Sequence, residues 1–332
     1  MAVLVTGAAG FIGAATSRAL LERGDEVIGI DNLNDYYDPA LKRARLDELG
    51  RSHAKRFAFI QLDFADWQGL NDSLAGTTID GIVHLGAQAG VRYSIQNPHA
   101  YVHSNLVGHC NMLELARARR KHMVYASSSS VYGGNKQLPF RVEDRVDHPL
   151  SLYAATKKAD ELLSESYANL YRMELTGLRF FTVYGPWGRP DMAMWIFVRA
   201  LYAGEPLPLF NGGAMRRDFT YIDDVVDGIV ACLDAPPRDD GMPKPGGSTA
   251  PHAVYNIGNS RSENLMRLVA LLEEATGRKA LLEPRPMEPS DVPETFADIS
   301  AIARDHGFQP RTSLDEGVPR FVSWYRDYHG LK

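Results

Sequence analysis

Short apolar runs recur along the first half of the chain, at Val3–Val5, Val27–Ile30, Phe57–Leu62, Gly81–Leu85, Met123–Ala126 and Leu175–Phe181. They are too short and too continuous for amphipathic helices, and read as strands buried on both faces. Between them, Ile12–Arg23, Ala100–Arg119 and Tyr153–Tyr171 space their apolar residues as helices do. Such alternation predicts a doubly wound α/β fold, a parallel sheet with helices on both sides. In the second half Asp223–Leu233 and Glu263–Thr276 read as helices, but strand signals thin out. The pattern therefore predicts a sheet domain over 1–181, with later segments returning to it, and a smaller α/β lobe over 182–332. The segment Ala235–Pro251, dense in Pro and Gly, is expected as a mobile surface loop. No internal repeat is evident.

Composition narrows the class. The 332 residues carry 36 Lys and Arg against 41 Asp and Glu, a net charge of −5. That balance argues against nucleic acid or an anionic membrane as partner. Hydrophobic residues at 45% and charged residues at 23% exclude a disordered or fibrous chain. Two cysteines, Cys110 and Cys232, make neither a disulfide framework nor a zinc site, and are expected in the core of a protein from a reducing compartment. The opening MAVLVTGAAG reads as a strand rather than a signal peptide, and no apolar run reaches bilayer length. A cytoplasmic protein without a metal site is expected.

The first chemistry lies directly after the first strand. Gly7, Gly10 and Gly13 are spaced G-x-x-G-x-x-G and open a helix. Glycines let the backbone turn sharply and approach a pyrophosphate at the helix N-terminus. The next strand ends in Asp31, 18 residues after Gly13. A carboxylate there can accept hydrogen bonds from both ribose hydroxyls and would repel a 2′-phosphate, so a Rossmann-type sheet holding NAD rather than NADP is expected. The plainer alternative for Asp31 is a strand-end turn. Asp63 ends the third strand similarly and could reach the adenine or cap a helix.

The second chemistry lies later. Tyr153 and Lys157 stand at i and i+4, on one helical face. A neighbouring ammonium stabilises a phenolate, which makes Tyr153 a candidate general base toward a hydroxyl. The pair follows Ser127-Ser128-Ser129-Ser130 at the carboxyl end of the fifth strand, the edge where open parallel sheets bind ligands. The alternatives are a surface helix pair and a polar loop.

Together the glycine loop, Asp31-Asn32, the serine turn with Val131-Tyr132-Gly133, Y-x-x-x-K and Arg217-Asp218-Phe219 before Asp223-Asp224-Val225 resemble the extended short-chain dehydrogenase/reductases acting on nucleotide sugars. Nearly the whole chain takes part. Asp31–Leu46, Ala87–Pro98, Arg179–Ala193 and Arg216–Asp224 are most similar to the branch that epimerises UDP-glucuronate at carbon 4.

The resemblance implies that Gly7, Gly10, Phe11, Ile12, Gly13, Asp31, Asn32, Asp63, Phe64, Leu85, Ala87 and Gln88 hold NAD, with Tyr153 and Lys157 at its nicotinamide end. It implies that Tyr153 takes the proton of the sugar's 4-hydroxyl as carbon 4 gives up its hydrogen, and that Ser128 hydrogen-bonds the same oxygen. Ser129 and Ser130 are possible substitutes. Arg217 would bind the diphosphate, unless it forms a surface ion pair with Asp218 or Asp224, and Arg92 would reach the same site. Thr182, Arg189 and the serine turn would take the carboxylate.

Decarboxylases and 4,6-dehydratases of this family place an acidic residue directly before Val-Tyr-Gly, where this chain has Ser130. That favours epimerisation alone over UDP-glucuronate decarboxylation. Thr182 and Arg189 disfavour a neutral UDP-hexose 4-epimerase. The family further implies a homodimer through Ala100–Arg119 and Tyr153–Tyr171. Glu288 and Ser290 depart from the family pattern near the nucleotide. His84 is expected to be structural, Phe180, Phe181, Tyr184 and Trp187 to be wall, and Arg117–Lys121 to complement a helix dipole.

Overall fold

A computed structural model describes residues 1–287 and 291–331. Glu288 and Ser290 lie outside them.

The alternating half begins β1 (Ala2–Thr6), α1 (Phe11–Arg23), β2 (Glu26–Asp31), α2 (Pro39–His53), β3 (Phe57–Gln61), α3 (Trp67–Ser73) and β4 (Gly81–His84). Two single turns follow, α4 (Tyr93–Gln96) and α5 (Pro98–Tyr101), then α6 (Gly108–Arg119), β5 (Met123–Ser128), α7 (Leu152–Tyr171) and β6 (Leu175–Phe180). The remainder runs β7 (Thr182–Tyr184), α8 (Ala193–Ala203), β8 (Pro206–Phe210), β9 (Arg216–Arg217), β10 (Phe219–Tyr221), α9 (Ile222–Asp234), β11 (His252–Ile257), β12 (Glu263–Asn264), α10 (Leu265–Thr276), β13 (Leu281–Arg285), α11 (Ser300–His306) and α12 (Leu314–His329).

The main sheet has seven parallel strands in the order β3-β2-β1-β4-β5-β6-β11. It is a Rossmann-type sheet with its topological switch between β1 and β4, where ligands of such sheets bind. Period-two alternation divides β1 between two cores: Val3 and Val5 pack on one side, Leu4 on the other. Helix α7 buries an unusually polar stripe, Thr156, Lys157, Asp160, Glu161 and Ser164. Its start is set by Ser151, which accepts the Ala154 N–H at 3.1 Å.

Two departures from the sequence pattern have local causes. Ala100–Arg119 is not one uniform helix, because a π-helical turn over Val102–Val107 sits between α5 and α6. This turn buries Asn105, whose Oδ1 accepts the Gln88 N–H at 2.8 Å while its Nδ2 donates to the Gln88 carbonyl at 3.1 Å and to Thr156 at 2.9 Å. The widened turn thus fixes the loop after β4. The helix expected from Glu263 begins at Leu265, since Asn264 caps it and Glu263–Asn264 pairs antiparallel with Arg216–Arg217. Strand β11, from the second half, pairs in parallel with β6 at the sheet edge.

The loop before β11 has no regular element. It is tied down by Ser248 Oγ donating to Glu165 at 2.8 Å and by Lys244 with Asp240. Three small two-stranded sheets pair β7 with β10, β8 with β13, and β9 with β12. Beside them Trp195, Phe321, Trp324 and Tyr325 bind α8 to α12.

Candidate active site

The carboxyl ends of the strands and the smaller sheets enclose a cavity of about 780 Å³. At one end lie Gly7, Gly10, Gly13, Phe11 and Ile12, where β1 turns into α1. A Cβ on Gly7 would stand 2.8 Å from the Gly86 nitrogen, and one on Gly13 would stand 2.0 Å from the Gly7 carbonyl oxygen. These contacts are to backbone, so nothing larger fits. Gly10 caps α1 without a side chain, leaving the helix N–H groups to a ligand.

Asp31 closes this end of the cavity. It accepts the Leu33 N–H at 2.8 Å and the Ala9 N–H at 3.3 Å. Lys42, buried 3.9 Å from it, holds the Asn34 carbonyl at 2.9 Å. Burial pushes the Lys42 pKa down, against the pull of Asp31. Asn32, Phe64, Leu85, Ala87 and Gln88 also line the cavity. Asp63 does not. Its carboxylate accepts the Ala65 N–H at 2.9 Å and meets Asn32 and His103, each at 3.2 Å. Asp63 holds its own turn through the Ala65 N–H and supports Asn32.

At the centre stand Tyr153 and Lys157 from α7 and Ser128, Ser129 and Ser130 from the end of β5. Ser128 Oγ accepts the Ser130 N–H at 3.1 Å, which shapes the turn and leaves the Ser128 hydroxyl proton to donate. Ser127 is occupied otherwise, donating to Glu161 at 2.7 Å. Glu161 takes both arms of Arg179 at 2.8 and 3.0 Å, and this pairing outweighs burial to hold its carboxyl below the usual range. Beneath the sheet end, His84 meets Thr6 Oγ1 at 2.7 Å. Burial, helped by the charge of Lys157, pushes His84 down to about 3, so it is a neutral structural residue.

The other end gathers Arg92, Arg217, Thr182 and Arg189. Arg92 lies 4.0 Å over the Phe210 ring and pairs with Asp291 at 3.2 Å. Arg217 pairs with neither Asp218 nor Asp224. Its guanidinium donates to the carbonyls of Arg216 at 2.9 Å and Pro293 at 3.2 Å. Asp218 is turned to the N–H groups of Asn259 and Ala297, and Asp224 to those of Arg311 and Thr312. Burial pushes the Arg217 pKa down, opposed by Asp291.

Thr182 is fixed by β7, its N–H donating to the Asp218 carbonyl at 3.1 Å. Arg189 is the second cation at this end of the cavity to carry an acidic partner. It grips Asp191, with Nε at 3.0 Å, and Tyr36 donates to the same carboxylate at 3.0 Å. Sequence spacing could not reveal that pairing, and Tyr36, Tyr37, Lys42, Tyr93, Asp191 and Met192 were all missed as cavity residues. Of the aromatic group, Phe180 and Phe181 do line the wall, while Tyr184 bonds the Ser313 carbonyl and Trp187 packs on Trp324.

The residues present fit a dinucleotide. The glycine cradle admits only a close, unbranched approach to backbone N–H groups, Asp31 waits one strand away, and apolar Phe64 and Leu85 lie near. No group of three or more His, Cys, Asp or Glu able to hold a metal occurs among the described residues. No described helix is long and apolar enough to cross a membrane.

Comparison with known proteins agrees with this geometry. Residues 3–258 match the NAD dependent epimerase/dehydratase family. The chain is 46% identical over 332 residues to a probable UDP-glucuronate 4-epimerase of Rhizobium meliloti, covering 98% of this chain and 97% of that one. It is similar to the crystal structure of a UDP-glucuronic acid 4-epimerase from Bacillus cereus in complex with UDP-glucuronic acid and NAD, with TM-score 0.85 and 31% identity over 99% of this chain and 100% of that one. A dTDP-glucose 4,6-dehydratase from Streptomyces venezuelae has TM-score 0.87 at 28% identity, covering 99% and 98%. Backbone shape therefore does not separate these chemistries, and side chains must. On the match over 3–258 and the full-length identity, the chain belongs to the NAD dependent epimerase/dehydratase family.

Proposed function

We propose that the chain is a UDP-glucuronate 4-epimerase that interconverts UDP-glucuronate and UDP-galacturonate through a 4-keto sugar, with NAD held throughout. One observation carries the reading. The cavity joins a dinucleotide cradle, a Tyr-Lys-Ser centre and two arginines, and each carboxylate lining it among the described residues is already engaged. Asp31 is held by backbone N–H groups, Asp191 by Arg189 and Tyr36, and Asp291 by Arg92. None is left over to handle a proton at carbon 5, which decarboxylation or dehydration would use.

Gly7, Gly10, Gly13 and Asp31 would hold NAD, with Lys157 at the nicotinamide ribose. When bound, it supplies reversible oxidation at carbon 4 of the sugar. Tyr153 takes the 4-hydroxyl proton, and Ser128 donates to the same oxygen as it becomes a carbonyl. Arg217 and Arg92 hold the diphosphate, since a guanidinium fork matches phosphate oxygens. The sugar turns about its phosphate link between these anchors, presents its other face, and Tyr153 returns the proton. Ser129, Ser130, Thr182 and Arg189 receive the carboxylate and keep it from leaving as carbon dioxide.

The Tyr153→Phe variant tests this. Turnover should fall about 10²–10⁴-fold with NAD still bound. Unchanged turnover would remove Tyr153 from the chemistry and favour a dinucleotide sensor.

Val102, Val107, Leu162, Leu170 and Tyr171 are exposed on the π-turn and α7. They support a homodimer through these helices, and a monomer in sedimentation equilibrium would exclude it.

A further inference from the structure

Asp160 is fully buried on α7, one turn beyond Lys157. Its Oδ2 accepts the Lys157 ammonium at 3.0 Å, and the Ala126 carbonyl accepts a second N–H at 2.9 Å. An ammonium has three donors. With two fixed below the cavity floor, one remains for the cavity, which Lys157 lines. The other oxygen of Asp160, Oδ1, is buried with no hydrogen bond among the described residues.

The adjoining Glu161 makes a sharp contrast. Both its oxygens are satisfied, by Arg179 and Ser127. If Lys157 needed only an acceptor, a neutral amide would serve as well as a carboxylate and would strand no anionic oxygen. From these contacts we propose that Asp160 is a positioning residue for the catalytic pair: it aims the Lys157 ammonium, and its own ionisation sets how much of that positive charge Tyr153 feels.

The groups facing Asp160 are few. Lys157 and Glu161 stand on its own helix, the latter neutralised by Arg179. His109 comes from α6 and Tyr125 from β5, and His84 on β4 lies against His109 with the rings tilted, 5.4 Å apart. Burial holds both histidines neutral and Tyr125 protonated. Burial likewise pushes the Asp160 carboxyl up to about 7, with Lys157 opposing. Below that pH the carboxyl is neutral and the ammonium acts on Tyr153 undiminished. Above it the pair cancels.

The proposal rests on Tyr153 and Lys157 acting as read above. Its test is the pH dependence of kcat in Asp160→Asn and Asp160→Ser, which keep an acceptor and lose the charge. The wild type should show an inflection near pH 7 that both variants lack, the variants matching it below that pH and exceeding it above. Asp160→Ala, which frees the ammonium, should lower kcat about 10- to 100-fold with little change in KM. A second readout needs neither substrate nor NAD: the tyrosinate absorbance step that Tyr153→Phe abolishes should move to lower pH in D160N. A wild-type profile without the inflection overturns the proposal, as does a D160N profile and tyrosinate step superimposable on the wild type. A purified wild-type protein that does not convert UDP-glucuronate contradicts the functional reading instead, and leaves the tyrosinate measurement to judge Asp160.

Discussion

The two ends of the cavity do their work with different materials. At the dinucleotide end the backbone is the recognising surface: Gly7 and Gly13 approach other backbone atoms so closely that a single methyl group collides, and Asp31 is held by the N–H groups of Ala9 and Leu33. At the proposed sugar end the charged side chains already pair with one another, Arg189 with Asp191 and Arg92 with Asp291. A backbone cradle is rigid and tolerates no change, but is indifferent to which sugar is processed. Exchangeable ion pairs tolerate substitution and can be retuned. That difference gives a physical reason why an epimerase and a dehydratase share one backbone while handling different substrates.

Substitutions can break this contrast. Gly13→Ala should have the larger effect, because its new methyl meets the Gly7 carbonyl rather than a movable side chain. A loss of about 3 kcal/mol, the upper part of the range for overpacking, is expected in denaturant unfolding, together with loss of bound NAD. A stable variant that retains NAD would mean that the cradle is more pliant than its spacing suggests.

Arg189→Ala should leave the fold intact and act on the substrate. Loss of a charged hydrogen bond, about 1.5–3 kcal/mol, should cost UDP-glucuronate roughly 10- to 100-fold in kcat/KM and a neutral UDP-hexose much less. Equal losses for both would show that Arg189 serves the wall, through Asp191 and Tyr36, rather than the carboxylate.

The same contrast explains what the sequence could tell. Strands β1 to β6, the glycine loop, Asp31 and the Tyr153–Lys157 pair follow from local pattern, because each depends on neighbours within a turn or a strand. Asp63 shows the limit: its place at a strand end was visible, but not that the Ala65 N–H, Asn32 and His103 would engage it. The sugar end is assembled from Tyr36, Arg92, Thr182, Asp191 and Arg217, which only the folded chain brings together. Ion pairing there depends on which side chains meet, and neither spacing nor hydropathy encodes it. That later segments return to the sheet is legible in the pattern, but that β11 is the strand pairing with β6 is not, because the two lie far apart along the chain.

The central claim is tested most directly by incubating the purified protein with UDP-glucuronate, with no added cofactor or reductant, and identifying every sugar nucleotide formed. The reading predicts UDP-galacturonate as the product, with the nucleotide and carboxylate intact and no carbon dioxide released. A UDP-pentose as the main product, or an inert mixture from protein that demonstrably carries NAD, would contradict it.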